Sequence, residues 1–471
     1  MTTLDRTPTA VLWALLVVTV PAIGIVAAMS PAGGIAVFLA IALGAASLRA
    51  PIVALGAFTV VTYFEVLVVS QLLSPIKLAG GLVLVVAIGT VFARLQTDRS
   101  WRPAWGRYPI VLGLLLAFVV FSFASLGWAE NMTQWKKVFQ ALATNAMLFL
   151  AVGIICSRLR DLYAIAWCAL AAGTMSALYG MLNNLTIGGD RGVGSFGDPN
   201  EYAAVLVATI ALGYAAFDSA DRIRYRMIAA GGLSVCTLAL LQTQSRGGIA
   251  AFLVLAMAIA FSSRGQERAR LLGAGLMLAA ITGAFLFSPP GQTFLGRVAS
   301  DDSSGRTDLW HVAVREFVAN PVAGVGLGNY AAVSRDYIDG EIQRADEFID
   351  RPTTTHSIYL ETLAEGGVVG ATLFFSFLLA TLGLLRMSVR RARAVGDRAL
   401  VTMGRSLFAG TLGMLVSGVF LSGQYQEMLW LLLGIAPVYS VLVWQAASRQ
   451  LQEQRDEIRR ALELAQAEVA A

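Results

Sequence analysis

Long apolar runs alternate with short charged connections along nearly the whole chain. Runs of roughly 17 or more largely uncharged residues have the length a helix needs to cross the hydrocarbon core of a bilayer, and about fourteen such runs occur. They fall near residues 10–29, 32–48, 51–73, 76–93, 108–127, 137–156, 161–182, 200–217, 227–244, 247–262, 270–288, 357–385, 403–421 and 428–445. The pattern predicts an all-α polytopic membrane protein with about 12–14 spans. The first run is long for the apolar core of a secretory signal, so a retained helix is expected there.

One polar interval is too long to be a simple connection: Ser288 to Thr355. Within it, Thr307 is placed to cap an amphipathic helix, TDLWHVAVREFVANP, with Trp310, Val314 and Phe317 or Val318 on one face and Asn320-Pro321 marking its end. The glycines of GVGLGNY then predict a tight turn, followed by a second, polar helical stretch near Tyr330 to Asp350. GVGLGN is not read as a phosphate-cradling loop, because no strand precedes it and no Lys-Ser/Thr follows. The interval is expected to form a small helical cap over the membrane domain. From Ser448 onward the sequence predicts a charged tail helix, with Glu453 and Glu457 facing basic neighbours.

Composition narrows the class. Of 471 residues, 57% are apolar and 14% charged, with a mean hydropathy of +0.68, which leaves too little polar surface to cover a water-soluble globule. The net charge of +5 does not indicate nucleic-acid binding, since the Lys and Arg residues sit in short clusters between apolar runs. Cytoplasmic loops retain such residues, so the clusters orient the chain with both termini in the cytoplasm and the large interval outside. Cys156, Cys168 and Cys236 lie in apolar runs without metal-ligand or CxxC spacing and are read as packing residues.

The chemistry-bearing candidates gather toward the outer side of this topology. His356, at the head of a span in TTTHSIYLETLAEGGVVG, has the side chain best suited to accept a proton at neutral pH; its alternative is an interfacial cap beside Thr355. His311, in the loop helix, is read as solvated or packed. Arg246 stands in QTQSRGGIAAF, where the two glycines are expected to let the backbone turn while the guanidinium stays at the boundary, as a functional group or a snorkelling anchor. Arg306 opens the loop helix, and Arg191 lies in GGDRGVGSFGDPNEYAAV before the next span. A planar, permanently charged fork suits the bidentate contacts of a pyrophosphate, and a helix start adds a favourable dipole. Asp198 and Glu201 are read as helix-capping acids, and Glu65, an intramembrane carboxylate, as a partner for an outer arginine. Asp301-Asp302 sits in a Ser-rich stretch and is not taken as a metal-binding pair.

Three outside arginines and one histidine favour an anionic, lipid-borne substrate. They leave three classes open: a transferase acting on that substrate, a flippase or transporter for it, and a non-catalytic partner in a membrane assembly. Transporters place ionisable groups near the midplane and show related halves, whereas here the charges sit at the outer edge and the halves differ in loop length.

The SRGG turn, the GRTDLW segment followed by NPVAGVGLGNY, and the HSIYLETLAEGGVVG run, in that order around a large outer loop, resemble the O-antigen ligase superfamily. That superfamily also holds O-antigen and exopolysaccharide polymerases and protein O-oligosaccharyltransferases. The resemblance is firmest over residues 190–375. It implies an N-terminal set of spans over 1–189, a ligase-like core over 190–445 that includes the loop 288–355, and a cytoplasmic tail over 446–471. It further implies a bacterial inner-membrane glycosyltransferase that needs no metal or cofactor. Such an enzyme moves a glycan from an undecaprenyl-pyrophosphate donor to a glycan or lipid acceptor, inverting the sugar centre, as a ligase or a polymerase. Carried over by motif, Arg246 and Arg306, with Arg191 beside them, bind the pyrophosphate, and His356 positions or deprotonates the acceptor hydroxyl. Where relatives often show His-Asn the chain has His356-Ser357, and its expected helix count exceeds the ligases' usual twelve.

Overall fold

A computed structural model describes residues 42–64, 75–187, 192–263, 306–338 and 354–470, with positions 283, 287, 291, 292 and 296. Every described element is helical. Among the described residues nine helices are long and apolar enough to cross a membrane, and the chain is a polytopic membrane protein. The expected spans at 10–29 and 270–288, most of that at 32–48, and Glu65, Arg191 and Asp301-Asp302 lie outside the described residues, isolated positions apart.

The described spans are α1 (Ile52–Val61), α2 (Pro75–Thr97), α3 (Pro109–Ala124), α4 (Met132–Ile155), α5 (Leu159–Ile187), α6 (Pro199–Ser219), α7 (Ile223–Gln242) and α8 (Arg246–Ser262). The loop helix α9 (Arg306–Ala319) follows, then α10 (Ile358–Val395), α11 (Arg398–Ser417) and α12 (Glu427–Ala470). α1 and α8 are apolar but fall short of the nine candidate spans, among which α3 counts with the 3-10 turn that extends it to Gly127. The charged tail is not a separate element: it continues the last span without a break as one helix, α12. In the tail Arg459 and Glu463 pair one turn apart at 3.1 Å, an exposed contact that adds little to stability.

α6 sits at the centre of the bundle. Its sequence, PNEYAAVLVATIALGYAAFDS, is small and apolar on every side, and a helix apolar all round is buried all round. It packs against α5, α7 and α11. Lipid tails are as apolar as leucine, so close packing of small residues has to hold such helices together. Gly213 meets Leu170 and Leu233, Gly410 of α11 meets Ala211, and Gly413 meets Val207. Polar bonds add to this, including the Tyr63 hydroxyl against Thr209 at 2.6 Å.

The NPVAGVGLGNY segment is a turn, as its glycines predict, with positive φ at Gly324, Gly326 and Gly328. It docks on a break in α10. Gly367 leaves helical geometry (φ 58°, ψ −161°), and the segment supplies the bonds the helix loses there. Val368 N donates to the Pro321 carbonyl at 2.8 Å, while Val325 N and Gly326 N donate to the carbonyls of Ala364 and Glu365 at 3.0 Å. The second polar stretch begins as a helical turn at Tyr330–Val333 and a 3-10 turn at Ser334–Tyr337; its continuation lies outside the described residues.

α9 starts at Arg306, so Thr307 falls inside it. Its apolar face also differs from the one expected. Leu309, Val312 and Ala313 are buried with Tyr330 and Ala364, whereas Val314 and Val318 point outward. The reason is tertiary: α9 lies on α10 and the 330–337 turns, and that contact selects its own stripe from a helix that carries apolar residues on two sides.

Candidate active site

The site forms where the N-termini of α6, α8 and α10 meet α9. The opposite end of the bundle is tied separately, by Arg398 to Asp218 at 2.6 Å, Arg393 to the Ser262 carbonyl at 3.2 Å and Tyr163 to the Ala399 carbonyl at 2.9 Å.

Arg246 is placed by the start of α8. Ser245 caps that helix, its Oγ accepting from Gly248 N at 3.1 Å and donating to Asn200 Oδ1 at 2.9 Å. The sharp turn before it is not made by the glycines, as expected from the sequence, but by Gln244, whose φ is 51°. Gly247 and Gly248 are helical and serve packing instead: Gly248 lies against Ala203 of α6, and Gly247 against Phe420. Arg246 itself is exposed.

Asp198 caps α6 as expected, accepting from Asn200 N at 2.6 Å and Glu201 N at 3.0 Å. Its charge reaches into the site. Burial lowers the affinity of Arg306 for its proton, Asp198 counters this, and Arg246 adds to it. The guanidinium remains charged, as arginine does in proteins. Two cations are thus held near one another with Asp198 between their effects, an arrangement that an incoming anion would relieve.

His356 belongs to the same neighbourhood. Its pKa lies below the usual 6.5, first because the ring is half-buried and next because Arg306 repels the imidazolium, with Asp198 opposing. The ring is therefore neutral at pH 7 and free to accept a proton. Its backbone is left-handed (φ 51°), a conformation that costs a non-glycine residue about 1–2 kcal/mol. The neighbours of His356 hold it there. Trp310 Nε1 donates to the Thr355 carbonyl at 3.1 Å, Ser357 N donates to Thr355 Oγ1 at 3.0 Å, and Ile358 N donates to the Gly418 carbonyl at 2.8 Å. Trp310 also leans on Phe420, with ring centroids 6.3 Å apart. Phe420, Trp310 and Thr355 thus link Gly247 to the residue before His356.

Arg306, 60 residues from Arg246 and 50 from His356 along the chain, is brought within electrostatic reach of both. His311 is exposed on α9. Residues 231–375 match the family whose description is O-antigen ligase. Over that stretch the chain is similar to the O-antigen ligases. The matched stretch contains all three residues, the α9 helix, the glycine turn and the break in α10, but begins later than the 190–375 stretch in which the sequence resemblance was firmest. No curated protein matches the chain.

Several residues of the site escaped sequence reasoning. Trp310 was read as part of an apolar face, while its indole N–H in fact holds the His356 segment. Glu361 carried a usable signal, being a carboxylate inside a span five positions after His356, where charge is costly without partners. Ser422, Gln424 and Phe420 lie in the connection between α11 and α12 and gave no local signal.

Proposed function

We propose that the chain is a glycosyltransferase that moves a glycan from an undecaprenyl-pyrophosphate donor to an acceptor hydroxyl. Arg246 and Arg306 grip the pyrophosphate, with Arg191 as a further basic contact. His356 takes the proton of the acceptor hydroxyl as its oxygen attacks the anomeric carbon from the face opposite the leaving group. The bond from that carbon to the pyrophosphate oxygen breaks, its electron pair leaves with the diphosphate, and the sugar centre inverts. The leaving group is already a stable anion, so catalysis needs charge stabilisation, alignment and one base. The observation that carries this reading is that Arg306 lies in the electrostatic reach of both Arg246 and His356, with Asp198 acting on Arg306 and His356 and with His356 neutral.

The arginine clusters at 94–107, 222–226 and 386–405 lie toward the opposite end of the bundle, which supports a cytoplasmic location for that end and a non-cytoplasmic site. In a bacterial inner membrane the donor would then be met after it has crossed the bilayer. Ligase and polymerase share every step above and differ in the acceptor.

The test is transfer in vesicles from an undecaprenyl-pyrophosphate oligosaccharide, scored by whether the glycan lengthens on its carrier or moves to another molecule. His356→Ala and Arg306→Ala, normally inserted, are each expected to abolish transfer. Activity within a few-fold of wild type in both removes the mechanism, and substrate crossing the bilayer with no new glycosidic bond replaces it with transport.

A further inference from the structure

The peptide planes on either side of His356 are both pinned. The preceding plane is held through the Thr355 carbonyl, which accepts the Trp310 indole N–H, and the following one through Ser357 N, which donates to Thr355 Oγ1. The second restraint is only as firm as the Thr355 side chain, and that side chain is held by the Ser357 carbonyl, 2.9 Å from its Oγ1, together with Glu361. Glu361 Oε2 lies 3.1 Å from Thr355 Oγ1 and 3.3 Å from Thr355 N, and it also accepts from the Ser422 hydroxyl. Glu361 Oε1 accepts from Gln424 Nε2 at 2.8 Å. One buried carboxylate therefore ties the first turn of α10, the His356 segment and the α11–α12 connection together. Thr355 N on one oxygen and Gln424 Nε2 on the other can only donate, and the two hydroxyls complete the set, so each carboxylate oxygen meets a fixed donor.

We propose that Glu361 is a positioning residue for the transfer reaction, holding His356 in its left-handed conformation through Thr355. Donor binding does not depend on it, because Arg246 and Arg306 are placed by α8 and α9. The proposal rests on His356 acting in the reaction as described above.

Glu361→Gln keeps the shape but sets an amide N–H₂ against Thr355 N in one orientation and against Gln424 Nε2 in the other. The expected result is a turnover about 10- to 100-fold lower, the cost of a misplaced reacting group, with the KM for the lipid-linked donor little changed. An activity-independent readout runs beside it. The chain has two histidines, and diethylpyrocarbonate should modify His356 severalfold faster in the variant while the exposed His311 reacts as before. Should Glu361→Gln not yield a monodisperse protein, Ser422→Ala, which removes one donor and leaves the carboxylate, decides through the same two readouts.

Wild-type turnover, an unchanged rate at His356, a loss confined to donor KM, or equal changes at both histidines would each overturn the proposal. The labelling also separates this idea from the one beneath it. If His356→Ala and Arg306→Ala retain transfer while Glu361→Gln still frees His356 to the reagent, the catalytic reading fails and the positioning contact stands as a structural one.

Discussion

The indole of Trp310 donates to the main-chain carbonyl of Thr355 at 3.1 Å, joining the helix that carries Arg306 to the residue that precedes His356. Cation and base are thus set against each other by one side chain that belongs to neither role. Trp310 is half-buried and leans on Phe420, which packs on the glycine beside Arg246. The three site residues share one scaffold.

Trp310→Phe should loosen that scaffold without emptying it. The ring still covers Phe420, but the Thr355 carbonyl loses its donor, at a cost of about 1–3 kcal/mol if no water replaces it. The thermal midpoint should fall modestly and turnover more steeply. A variant as active and as stable as wild type would show that the bond is dispensable.

The pH dependence of transfer should show an acid limb set by His356. Its pKa in the free protein lies below 6.5, so the neutral base persists further into acid than a free histidine, and kcat/KM, which reports the free enzyme, should fall only at pH values below 6.5. The same displacement affects stability in a defined direction. The unfolded chain takes up a proton at this residue before the folded one does, so the contribution of His356 to stability is lost as pH drops below about 6.5. A rate profile whose acid midpoint lies above 6.5 would contradict the assignment.

Glu316 makes an opposite prediction. It is fully buried on α9, neither carboxylate oxygen has a hydrogen-bond partner among the described residues, and burial, with Glu365 and Glu361 nearby, pushes its pKa up to about 10. Folded protein keeps it protonated at neutral pH while the unfolded chain ionises it. Its contribution to stability is therefore present below the usual carboxylate range and is lost as pH rises toward about 10. Glu316→Gln, which cannot ionise, should raise the thermal midpoint at pH 8, and the gain should shrink near pH 5. An equal effect at both pH values would mean that Glu316 is ionised in the folded state.

Much of the architecture was legible in the chain. Apolar runs of spanning length exist because a helix crossing lipid must satisfy its own backbone and cover itself with apolar side chains, and both demands are local. The glycine turn at 324–328 and the Asp198 cap were readable for the same reason: left-handed backbone and orphan helix N–H groups are met by residues close in sequence.

The site was only half legible. Residue type marked His356, Arg246 and Arg306, since few side chains bring that chemistry to the end of a span. Their meeting depends on contacts between residues far apart in the chain, such as Trp310 with Thr355, Ser245 with Asn200 and Glu361 with Gln424. The buried face of α9 was likewise chosen by the helix it lies on, and the turn before Arg246 by Gln244, a residue with no strong left-handed preference of its own. The sequence by itself determined the spans, the caps, the glycine turn and the candidate charges, because each answers to a period or a backbone preference within a few residues. Only the tertiary structure decided which face of α9 is buried, how His356 is held and which charges share a field, because those outcomes depend on packing between helices whose partners no local pattern names.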